Sequence, residues 1–99
     1  MLHIINKSPL ERNSLDSCLR VARPGNALLL IEDAVYAAVE GNAASDKLKM
    51  AEKTMKVYVL APDLEARGMK DATVEGVTLV DYGGFVDLVA EHSAVQSWL

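Results

Sequence analysis

The chain has one cysteine, Cys18, so it cannot form an internal disulfide, and that usage suits a reducing compartment. Aromatic residues are also scarce, at 5% of 99 positions, although hydrophobic residues reach 51%. The apolar mass is therefore Ala, Val, Leu and Ile. Aliphatic strands covered on both faces give that balance, and so does a subunit that hides surface against partners. No apolar run approaches the ~20 residues that span a bilayer, and Met1–Asn6 lacks the basic and long apolar segments of a signal peptide. The expected location is the cytoplasm. Basic excess is missing too, since 14 acidic side chains outweigh 10 Lys and Arg. The densest basic stretch, Lys47, Lys49, Lys53 and Lys56, is interrupted by Asp46 and Glu52. With a net charge of −4 and no basic patch, direct nucleic-acid binding is not expected.

Absent motifs narrow the chemistry further. Neither G-x-G-x-x-G nor G-x-x-x-x-G-K-[ST] occurs, so no nucleotide cofactor is expected. His3 and His92 have no second ligand at helical or hairpin spacing, and no metal site is expected. Gly83-Gly84 follows a strand and precedes a helix, as an anion-binding turn would, but a turn needing close packing accounts for the pair. Glu32, Asp33 and Asp81 sit at strand ends. Ala61-Pro62 stands where a phosphoacceptor pocket would want a lysine, so these carboxylates read as caps and solvated ends.

What is present is alternation of short aliphatic runs with helical patterns. That is the signature of a parallel sheet with crossover helices, here one α/β domain over residues 1–99. The strands are Leu2–Asn6, Ala27–Ile31 (an unbroken apolar run, hence central), Val57–Leu60 and Val77–Val80. A fifth short strand is possible without an assigned position. The first helix starts at Ser8 or Asn13 and stops before Pro24-Gly25, with Leu15, Cys18, Leu19 and Ala22 on one face. Asp33 is placed as the cap of a helix over Ala34–Glu40, ended by Gly41. A weakly patterned helix follows near Lys47–Met55, a short one opens at Pro62-Asp63 and closes at Gly68, and the last begins about Gly84. Its apolar face is Phe85, Leu88 and Val89.

Cys18 is the one nucleophile to weigh. A thiolate can accept a sulfane sulfur as a persulfide and pass it on. Against that, Cys18 lies on the apolar stripe of its helix, and free cysteine is among the most buried residue types. Arg12 or Arg20 could favour its thiolate, and Asp16 would oppose it. Both readings stay open on the residues alone.

Several stretches together resemble one family: Leu2–Pro9, Leu29–Ala38, Val57–Gly68, Val80–Leu88 and Val95–Trp98. In order and spacing they are similar to the TusB/DsrH proteins over essentially the whole chain. The resemblance implies a small parallel sheet flanked by helices on both faces, in the DsrE/DsrF/DsrH-like architecture. It also implies a heterohexamer with DsrE/TusD-like and DsrF/TusC-like subunits, a sulfur relay, and a DsrC/TusE-like protein as downstream acceptor. In the TusB branch the relay serves 2-thiolation of the tRNA wobble uridine; in the DsrH branch it serves dissimilatory sulfur oxidation. The principal sulfur-accepting cysteine would belong to the DsrE/TusD-like partner. The segment Glu11–Leu19 looks more like DsrH, where a cysteine occupies the position of Cys18. The resemblance thus makes Cys18 a candidate persulfide carrier, and the alternative is a supporting subunit with Cys18 in its core. The carrier reading requires a thiol reachable in the assembled complex, and partial accessibility is expected, with Cys18 near the edge of the helix–sheet packing.

Overall fold

Charge-free runs of Leu, Ile and Val form the middle of a wholly parallel five-stranded sheet in the computed structural model, which describes residues 1–98. The strands are β1 (Leu2–Ile5), β2 (Ala27–Leu30), β3 (Lys56–Leu60), β4 (Thr78–Val80) and β5 (Val95–Trp98). Their order is β4-β3-β2-β1-β5, so the strand read as central is central. Every residue of β1 and β2 is buried, as a strand covered on both faces requires. The unplaced fifth strand is the tail, aligned on β1 from Leu2↔Val95 to Ile5↔Trp98. Its residues Val95-Gln96-Ser97 are exposed at the sheet edge, so they carry no aliphatic run.

Alternation along the strands divides the core. Ile5, Leu28, Leu30, Val57 and Val59 point to one face, and Leu2, Ile4, Ala27 and Leu29 to the other. Four segments cover the first face. These are α1 (Ser14–Val21), a 3-10 helix over Glu32–Ala38, α2 (Ala43–Ala51) and α3 (Ala61–Ala66). The second face is covered by α4 (Tyr82–Glu91), through Leu88 with Phe85 partly buried beside it. A second, one-turn 3-10 helix spans Lys70–Ala72.

Three helix boundaries differ from the sequence reading, each for a local reason. The stretch expected as an Asp33-capped helix is the 3-10 segment Glu32–Ala38, and it has no side-chain cap. Ala34 and Ala37, and Val35 and Ala38, are all buried, and a three-residue repeat suits the tighter helix. α2 starts at Ala43, not near Lys47. The polar stretch before it is a capping box: the Asn42 side chain accepts from Ser45 N at 2.9 Å, and Ser45 Oγ accepts from Asn42 N at 3.3 Å. α1 takes the second of its two expected starts, at Ser14 after Asn13, while Ser8 closes a preceding turn, its carbonyl accepting from Glu11 and Arg12 N at 3.1 Å. α4 begins at Tyr82, where Asp81 accepts from Gly84 N at 2.7 Å. A Cβ on Gly84 would lie 3.0 Å from Val80 Cβ, which is the close packing read from the glycine pair.

Candidate functional site

Cys18 sits midway along α1, on the side facing the sheet. Leu15 precedes it by one turn, and the pair joins Ile5, Leu28 and Leu30 in the larger core cluster. Its exposure is 0%, so the expected partial accessibility is corrected: the thiol lies inside the helix–sheet layer, not at its edge. Burial pushes its pKa up to about 11. Desolvation is the one cause of that shift and no cation lowers it; Asp16, which would raise it further, lies on the outer side of α1, paired with Lys47 Nζ at 2.6 Å. At neutral pH the group is a protonated thiol, the poor nucleophile of the two forms. Transfer to or from this sulfur requires the α1 layer to open.

The strand-end carboxylates tie neighbouring segments together locally. Asp33 Oδ1 accepts from Arg67 Nε and Nη2 at 3.0 and 2.7 Å, and Arg67 Nη1 donates to the Asp63 carbonyl at 3.0 Å. The Asp63 side chain accepts from Glu32 N at 2.6 Å, at a residue whose φ of 50° lies in the left-handed region. These bonds tie the Glu32–Ala38 turn to α3. Sequence reasoning missed Arg67, because nothing in its local pattern shows a partner 34 residues away.

The histidines are also structural. Trp98 Nε1–H can only donate, and it lies 3.2 Å from His3 Nδ1. The His3 proton is therefore on Nε2, which donates to Asn26 Oδ1 at 2.9 Å. His3 is 2% exposed and latches β5 to β1. His92 Nδ1 donates to the Leu88 carbonyl at 2.7 Å and closes the end of α4. Among the described residues no group of three His, Cys, Asp or Glu could hold a metal, and no helix is long and apolar enough to cross a membrane. A cavity of about 520 Å³ opens beside Ala27, Glu52, Lys56 and Glu91. It lies at the starting ends of β2 and β3, whereas open α/β sheets bind ligands beyond the carboxyl ends of their strands.

The chain is similar throughout its length to known proteins. The model of the family described as DsrH like protein matches residues 7–95. Protein TusB of Pectobacterium parmentieri is 40% identical over 98 residues, covering 99% of this chain and 100% of the relative. Protein TusB of Escherichia coli strain K12 is 38% identical over the same spans. The crystal structure of the ychN protein from E. coli superposes with a TM-score of 0.81 at 20% identity, covering 97% of each chain, which establishes the shared fold.

Proposed function

The chain belongs to the DsrH-like family, and from that membership we propose that it is a subunit of a protein sulfur-relay complex. In such a relay a thiolate attacks the outer sulfur of a persulfide. RS–SH and R′S⁻ become RS⁻ and R′S–SH, so one sulfane sulfur moves and the first thiolate is regenerated. This chain supports the relay and does not carry sulfur itself; a DsrE/TusD-like partner bears the accepting cysteine. The observation that carries the supporting role is Cys18, the chain's one thiol, fully buried and held protonated. Full-length identity to proteins named TusB favours 2-thiolation of the tRNA wobble uridine as the endpoint. The relay runs in the cytoplasm, through a heterohexamer with DsrE/TusD-like and DsrF/TusC-like subunits, and delivers sulfur to a DsrC/TusE-like protein.

A second reading places the same relay in dissimilatory sulfur oxidation. The segment Glu11–Leu19, with its cysteine at position 18, favours it. Deleting the gene and measuring 2-thiouridine in total tRNA separates the two. Loss of the modification, restored by both the native chain and its Cys18→Ser variant, is the expected result. Full 2-thiouridine in the deletion strain would reject the tRNA branch, and failure of a Cys18→Ser chain that accumulates at the native level to restore it would reject the supporting role.

A further inference from the structure

The outward side of α4 is apolar and exposed. On a surface helix the side opposite the core is normally charged. Here that side is Tyr82, Val86 and Ala90, one above the other at four-residue steps, with Gly83 beside them. Tyr82 is 62% exposed and Val86 65%, and Gly83 and Ala90 are exposed as well. Val89, 38% exposed, extends the apolar surface toward the partly buried Phe85. A helix that is apolar on both sides is ordinarily buried on both.

A second observation, independent of the first, concerns charge. Asp87 and Glu91 stand four residues apart on one flank of the same helix, a like-charge spacing that destabilises a helix. Glu91 also occupies the C-terminal end, where the helix dipole disfavours an anion, and α4 contains no Lys or Arg. Among the described residues neither carboxylate forms an ion pair. Lys56 lines the same cavity as Glu91 without pairing to it. A partner bringing cations to this flank would relieve both conflicts.

We infer that the Tyr82–Val86–Ala90 side of α4 docks a different protein, through an aliphatic surface edged with Lys or Arg against Asp87 and Glu91. Charge decides against a symmetric α4-to-α4 contact between two copies of this chain. Pairing α4 with itself brings in no cation for either carboxylate, since α4 has none. The inference rests on the heteromeric relay proposed above, and names the surface that this chain contributes to it.

The test uses the full chain co-expressed with its DsrE/TusD-like and DsrF/TusC-like subunits, with binding measured by titration at two salt concentrations. Val86→Glu is expected to weaken association at least about tenfold. Asp87→Lys is expected to weaken it less and to flatten its salt dependence. Val21→Glu, at a 57%-exposed site on α1 across the sheet, is expected to leave it unchanged. Circular dichroism and thermal melting of each variant check the fold, which a solvent-facing change at Val86 does not disturb. Equal binding by Val86→Glu and native chain overturns this inference alone. A native chain that binds neither subunit overturns the heteromeric reading with it. A native chain that dimerises by itself, through contacts that Val86→Glu abolishes, assigns the surface to a second copy and also overturns it.

Discussion

One face of the sheet is covered by four segments and the other by a single helix. Over Ile5, Leu28, Leu30, Val57 and Val59 lie α1, the Glu32–Ala38 turn, α2 and α3, which together bury Leu15, Cys18, Val35, Leu48 and Leu64. Over Leu2, Ile4, Ala27 and Leu29 lies α4, whose one buried side chain is Leu88. Five strands spaced about 4.8 Å apart make a sheet wider than the ~10 Å diameter of one helix. The thick face thus gets its stability from the chain itself, and the thin face ends in apolar side chains turned to water. A lone cysteine on the thick face is packed as a small hydrophobe. A valine on the outer side of the thin face is available for contact.

Core truncation gives the largest expected contrast. Leu48→Ala, at 0% exposure among four covering segments, should cost about 3–4 kcal/mol in urea unfolding. Leu88→Ala, at 6% exposure under a single helix, should cost about 2 kcal/mol, because its site collapses more readily. Equal losses would break the comparison.

Alkaline titration sharpens it. The Cys18 thiol titrates at about 11 in the fold against 9.0 for the free group, so between those values the unfolded chain has lost a proton that the folded chain keeps. Stability falls as pH rises through that window, by on the order of 2 kcal/mol at its top. Cys18→Ala should remove that part of the alkaline loss, measured as the difference between the two urea series at pH 8 and pH 11. An unchanged difference would mean that the thick face admits solvent to the thiol.

Smaller effects belong to the entry into α4. Asp81→Ala removes the side chain that accepts from Gly84 N and should cost about 1 kcal/mol. The Asp33–Arg67 pair binds two segments of the thick face at its rim, with Asp33 53% exposed. Asp33→Ala should therefore cost under about 1 kcal/mol, and less at high salt.

The middle strands of the sheet were legible because Leu28–Leu30 and Val57–Leu60 are uninterrupted apolar runs, and the α1 stripe because Leu15, Cys18, Leu19 and Ala22 keep helical spacing. β5 had no such run, since its pairing with β1 uses backbone groups and one Trp98–His3 bond across 95 residues. The Glu32–Ala38 turn was read with the wrong helical period, and the start of α2 was hidden because Ser45 completes a capping box that more often ends in Glu or Gln. At the site, the apolar position of Cys18 was visible in sequence. The depth of its burial was not, because it depends on the Glu32–Ala38 turn and α2 closing over the same face.

The supporting role meets its most direct test in the mass of this chain within the assembled complex, after loading with a sulfane-sulfur donor and trapping with an alkylating agent. The account expects the chain to be recovered at its unmodified mass, with Cys18 neither persulfidated nor alkylated, while the added sulfur is found on a partner subunit. One added sulfur on the peptide containing Cys18, at the level of the partner's and lost from the Cys18→Ser chain, would contradict it.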